Sequence, residues 1–276
     1  MPVTRHWLCA CMLLGSLLAT FHEPAQAAAA VYTVSVAPAL PATETKRRWQ
    51  PLLDQLSRDT GFTLHFRFYE DNEQFEEGLI QGEPDFAMIG PYQLWKVRPR
   101  YQPLLRDAAP MAGLVLVSKN SQIQSLNDLG GRTLAFPSGS DITTIIVLRH
   151  SLKDPKIQPL LRPQRTYVNG VRGVMLGKLD AVISNDYSMK LIPPGMEQQL
   201  RVIYRTIPTP GPAFASAQHV PAEASIKMKT AFQHLKTTHP ALLDAALMPN
   251  ITEADLEKDY GIFSTLHGNE TAHETP

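Results

Sequence analysis

The loop Pro137-Ser138-Gly139-Ser140-Asp141 sets two hydroxyls and a carboxylate between residues 132–136 (RTLAF), which read as a strand, and 142–152, which read as an apolar helix. A helix start carries unpaired N–H donors and the positive end of the dipole, so it can hold an anion. The same loop can also be a plain cap, with Ser140 or Asp141 accepting from the first-turn N–H groups. Residue type alone favours the cap, and Asp141 would compete with a highly charged anion for those donors. Other strand-end positions offer rings, amides and hydroxyls: Tyr69, Tyr92 within Gly90-Pro91-Tyr92, Thr143, Tyr167, Asn169 and Asn185. Such groups orient a small polar ligand by hydrogen bonding. They do not form a Ser/His/Asp or Cys/His set able to carry covalent catalysis. His234 and His239, five apart across a helix end, suit a metal poorly. Trp49 shares helical spacing with Leu52 and Leu53 and reads as core. The expectation is a binding protein with no cofactor, no metal site and no enzymatic activity.

Composition narrows the partners. The 276 residues carry 26 basic and 26 acidic side chains, so the zero net charge argues against nucleic acid, which needs clustered Lys and Arg. With 43% hydrophobic and 19% charged residues, the chain is too apolar to be disordered. Residues 1–27 read as a secretory signal: Arg5, an apolar run over 7–21, and Ala25-Gln26-Ala27 as the cleavage pattern. The apolar run is shorter than the roughly 20 residues a membrane span needs. Both cysteines, Cys9 and Cys11, lie within that leader, so the exported chain is expected to be soluble, periplasmic and free of thiols.

The elements that must position these residues follow an α/β pattern. Residues 31–37 and 62–69 alternate as strands, 85–89 read as a buried strand, and helices are expected over 45–59 and 73–81, stopped by Gly61 and Gly82. That order implies parallel pairing with right-handed crossovers. A second set follows: strands at 113–118, 132–136, 164–168, 180–184 and 201–205, with helices at 142–152 and 171–177. The proline-rich 206–212 reads as a hinge crossover, 222–238 as an amphipathic helix, and the chain from His267 onward as a polar, frayed tail. In parallel α/β sheets the ligand lies beyond the carboxyl ends of the strands, which selects the loops named above.

Residues 49–96, from WQPLLDQLSRDTGF to GPYQLWK, resemble the phosphate/phosphite/phosphonate-type periplasmic substrate-binding proteins of ABC transporters. So do SLNDLGGRTLAFPSGS (125–140) and VRGVMLGKLDAVIS (171–184). The resemblance implies a two-lobed type II periplasmic-binding (Venus-flytrap) fold, α/β with mainly parallel sheets and two hinge crossovers. One lobe would hold residues 28–112 plus 207–276 and the other 113–206, with a small anionic or polar ligand between them. It also implies a monomer that docks on an inner-membrane ABC permease; related proteins look like partners of sensor kinases or diguanylate cyclases. Ser138, Gly139, Ser140 and Asp141 match the loop that holds the oxyanion in the family, and Tyr92 matches the tyrosine of its Gly-Pro-Tyr block. Gly139 and Asp141 depart from the family's Ser-Thr-Ser-Gly loop. Tyr167-Val168-Asn169-Gly170 lacks the family's histidine. These departures bear on the ligand rather than on the scaffold.

Overall fold

The computed structural model describes residues 29–151 and 153–267; the expected leader, both cysteines and the tail after His267 lie outside them. The first part of the chain runs β1 (Val31–Val36), α1 (Ala42–Thr60), β2 (Thr63–Phe66), α2 (Asn72–Gln81), β3 (Phe86–Ile89), α3 (Pro91–Lys96) and β4 (Tyr101–Asp107). Helix α1 forms because Trp49, Leu52, Leu53 and Leu56 recur on one face, and that face is buried. Gly61 and Gly82, in the left-handed conformation at φ 66° and 73°, stop α1 and α2 where the sequence placed the stops.

After a two-residue strand, β5 (Pro110–Met111), come β6 (Gly113–Ser118), β7 (Thr133–Phe136), α4 (Ile142–Ser151), β8 (Leu160–Pro163), α5 (Tyr167–Met175), β9 (Ala181–Asn185), α6 (Asp186–Met189) and β10 (Leu200–Arg205). The chain returns through β11 (Thr209–Pro210) to β12 (Ala213–Ala217), α7 (Ala222–Thr238), α8 (Pro240–Ala245), β13 (Ile251–Glu253) and α9 (Leu256–Tyr260).

Two sheets result. The first has the order β13-β4-β12-β3-β1-β2 and the second β10-β6-β9-β7-β8. As expected, β1 pairs parallel with β2 and β3. The sheets are nevertheless mixed, because the strands flanking each crossover enter against the parallel set: β12 runs antiparallel to β3 and β4, and β6 antiparallel to β9 and β10. The two crossovers touch as a short ribbon, β5 antiparallel to β11. Residues 206–212, expected as a hinge, therefore hold one side of that ribbon.

Two local expectations are corrected. The strand expected at 164–168 lies earlier, as β8, with every residue exposed; an edge strand of this kind carries no apolar alternation to detect. Residues 167–175 are helix instead, started by Thr166, whose hydroxyl accepts from the Asn169 N–H at 3.2 Å. The strands β4, β12 and β13 had no forecast. Strand β12 (AFASA) is buried throughout and, apart from Phe214, made of small residues, so neither β-branching nor alternation marks it.

The first sheet's core is aromatic. Phe214 stacks on Phe86 at 5.8 Å and meets Phe232 of α7 at 4.6 Å. The buried Tyr260 hydroxyl donates to the Gly211 carbonyl at 3.0 Å, tying α9 to the returning crossover. Tyr260→Phe should lower folding stability by about 1 kcal/mol, since it leaves that carbonyl without its donor. Urea unfolding of the two proteins at one pH measures it; equal midpoints would mean that water replaces the tie.

Candidate functional site

Between the sheets lies a cleft whose free volume is about 80 Å³. Its walls come from both sheets and from both crossovers, through Met111 and Pro212. The first lobe contributes the β1 and β3 ends, the face of α1 carrying Thr45, Arg48 and Trp49, and the start of α3; the second contributes the loop before α4, Tyr167, Asn185 and Tyr187. The lobes are in contact. Ile142 and Ile145 of α4 pack into the first lobe's core, whereas Ala39 and Leu40 pack among Val168, Val171, Leu191 and Ile192 of the second. The Tyr187 hydroxyl donates across the gap to the Ala246 carbonyl at 3.1 Å. Next to it Leu247 has φ 59°, the one positive value among described non-glycine residues, and it also lines the cleft. An L-residue holds that conformation only where its surroundings demand it.

Six of the expected residues border this space: Tyr92, Ser138, Ser140, Asp141, Tyr167 and Asn185. Three do not. Tyr69 faces away, donating to Glu83 at 2.9 Å and packing on Phe75; burial pushes its hydroxyl up to about 12. Thr143 is buried against Gly113, close enough that a Cβ at 113 would overlap its hydroxyl. Asn169, expected in a loop, sits in the first turn of α5 with its side chain exposed. Trp49 is buried in the core and also borders the cleft.

The loop before α4 is spent on internal bonds. Asp141 Oδ1 accepts from the Thr143 and Thr144 N–H groups at 2.9 and 3.0 Å, and Oδ2 accepts from the Tyr167 hydroxyl at 2.9 Å. The capping reading thus describes the helix start: the donors an anion would use already hold a carboxylate. Burial pushes the Asp141 carboxyl above the usual carboxylate range, against the lowering effect of those hydrogen bonds. Burial, reinforced by the Asp141 charge, drives the Tyr167 hydroxyl upward as well. Ser138 Oγ accepts from the Ser140 N–H at 3.0 Å. Ser140 Oγ donates to Glu76 Oε1 of the first lobe at 2.6 Å and accepts from Lys96 Nζ at 2.9 Å; Lys96 and Glu76 themselves pair at 2.8 Å. Asn185 caps α6, accepting from the Ser188 N–H at 2.7 Å. Tyr92 is buried edge-on to Phe263 at 5.8 Å.

The residue that sequence reasoning missed is Arg48. It lines the cleft, and its Nε is buried with no partner. A signal was available: the buried face 49, 52, 53, 56 of α1, extended one turn back, falls on 45 and 48. Three basic residues in a row, Lys46-Arg47-Arg48, hid which of them points inward. Among the described residues no cluster of three His, Cys, Asp or Glu can hold a metal, and no helix is long and apolar enough to cross a membrane.

Comparison with known proteins agrees with this architecture. A methylphosphonate complex of PhnD1 from Prochlorococcus marinus superposes with a TM-score of 0.74 at 14% identity, over 87% of this chain and 98% of that one. A binding-protein component of a phosphonate ABC transporter from Pseudomonas aeruginosa gives 0.72 at 17%, over 88% and 87%. A Xanthomonas citri protein bound to chloride ion gives 0.69 at 17%, over 88% and 99%. At these identities the likeness shows the two-lobed type II fold. No curated protein sequence matches. The family model described as "ABC transporter, phosphonate, periplasmic substrate-binding protein" matches residues 34–260, and the chain belongs to that family of periplasmic, non-enzymatic transport components, which take a small ligand to a membrane permease.

Proposed function

We propose that this chain closes on a small anionic solute in the periplasm and presents the closed form to its permease. The observation that carries the reading is Arg48: a guanidinium at the wall of an enclosed interlobe cleft, with a buried Nε that has no protein partner. Burying such a donor unpaired is unfavourable, and a bound oxyanion would relieve it. The moving bodies would be residues 28–112 plus 207–276 and residues 113–206, with the β5–β11 ribbon as the hinge. One copy lines the whole cleft, which supports a monomer, and export would remove residues 1–27. No covalent step is needed. Binding shifts an open–closed equilibrium, and the permease reads the closed form.

The test is a thermal-shift and calorimetric screen of phosphate, phosphonates and small carboxylates. A solute at about 100 times its Kd should add about 2.7 kcal/mol to folding stability by mass action. If no member of the panel stabilises the protein at concentrations up to about 10 mM, the solute-capture reading is wrong.

A further inference from the structure

The cleft is poor in charge. Arg48 and Asp141 are its charged lining residues among those described, and much of the rest is aliphatic: Val36, Leu40, Met88, Met111, Ile142 and Leu191. An oxyanion carrying two charges needs several donors once it leaves water, and the usual supply is a helix N-terminus. Here the α4 terminus is closed by the Asp141 carboxylate, which accepts from Thr143 and Thr144. The Ser140 hydroxyl is engaged with Glu76 and Lys96, whereas Ser138 Oγ accepts from the Ser140 N–H and can still donate its own proton. Among the described lining residues one cationic donor remains, the forked guanidinium edge of Arg48, which suits one carboxylate-like group held side-on. A free volume of about 80 Å³, at about 10–15 Å³ for each water-sized group, accommodates roughly five to eight non-hydrogen atoms.

We infer that the solute is a small organic monoanion with an apolar body, its charged group on Arg48 and its chain against the aliphatic wall. This rests on the reading of the cleft as the solute site. It differs from that reading in excluding the α4 terminus and a compact dianion. Tyr92, Tyr167 and Tyr187 border the same space, and their rings would pack against the apolar body of the solute.

The exported chain is titrated with acetate, n-butyrate, methylphosphonate and inorganic phosphate, followed by calorimetry and by Trp49 fluorescence. Butyrate should bind about tenfold tighter than acetate, because two more methylenes leave water. It should also bind more tightly than either phosphorus oxyanion. Arg48→Gln should weaken butyrate binding at least about tenfold without lowering Tm, and Arg48→Lys should restore part of it, since it keeps the charge but not the fork. Tighter binding of phosphate or methylphosphonate overturns the monoanion inference and leaves solute capture standing. Unchanged butyrate affinity in Arg48→Gln overturns it too. Failure of all four probes to bind overturns the inference, and failure of the wider panel in the screen above removes the cleft reading with it.

Discussion

Asp141→Ala should lose about 2–4 kcal/mol of folding stability, whereas Asp141→Asn should lose less than about 1 kcal/mol. Alanine removes the cap from α4 and also leaves the Tyr167 hydroxyl without its acceptor. Each loss is worth about 1 kcal/mol or more. Asparagine caps as well as aspartate does, and its amide still meets the tyrosine hydroxyl. The pH dependence separates the two roles. Burial raises the Asp141 carboxyl, so the native state holds that proton more tightly than the unfolded chain does. The cost of the ionised form is therefore fully present above the raised value. It disappears as pH falls through that value toward the ordinary carboxylate range. Wild type should gain stability relative to Asp141→Asn over that interval, and the difference cancels the other carboxylates, including Asp85, Asp180 and Asp259, whose values are lowered. Urea unfolding of both proteins at a series of pH values measures it. A difference that is flat or reversed with pH would show that hydrogen bonding outweighs burial at Asp141. Above that raised value Asp141→Asn should also bind small anions more tightly, because there a like charge leaves the cleft wall.

Glu76→Ala should weaken solute binding by about tenfold, or roughly 1.4 kcal/mol, with little change in Tm. Glu76 Oε1 accepts at once from Lys96 Nζ on its own lobe and from Ser140 Oγ on the other, at 2.8 and 2.6 Å. Half-shielded from water, this triangle contributes more than an open surface pair would. It connects groups that the proposed opening would separate, so its loss should act on closure and leave each lobe's core intact. Small-angle scattering of the solute-free variant should report a larger radius of gyration than wild type. Glu76→Gln, which keeps an acceptor but not the charge, should fall between. Identical scattering together with unchanged affinity would mean that the triangle contributes nothing to closure. Ser140→Ala should behave like a milder Glu76→Ala, lowering affinity through closure rather than through a lost solute contact.

The scaffold was legible in the sequence where the physics is local. The period of 3.6 at Trp49, Leu52, Leu53 and Leu56 specifies α1, and Gly61 and Gly82 supply the left-handed stops. Alternation marks β1 and β2 for the same reason. Legibility failed where an element owes its state to neighbours. Strand β12, four small residues and Phe214, all buried, is a strand because β3 and β4 lie on either side of it. Residues 167–175 carry β-branched and aromatic types yet form a helix, since Thr166 caps it and Val168, Val171 and Val174 find an apolar wall.

The candidate site divides in the same way. Residue types alone pointed to a ligand cleft without catalysis, to the loop 138–141 and to the competition that Asp141 would raise, because capping chemistry is local and readable. Tertiary structure alone decided which groups remain for a ligand. Ser140 is engaged by Glu76 and Lys96, residues 64 and 44 positions away in the chain. Tyr69 and Asn169 are turned out of the cleft, and Arg48 is turned into it. A hydrogen-bonding group can serve a ligand only if folding has not already satisfied it, and that depends on partners brought together by the chain's return through the two crossovers.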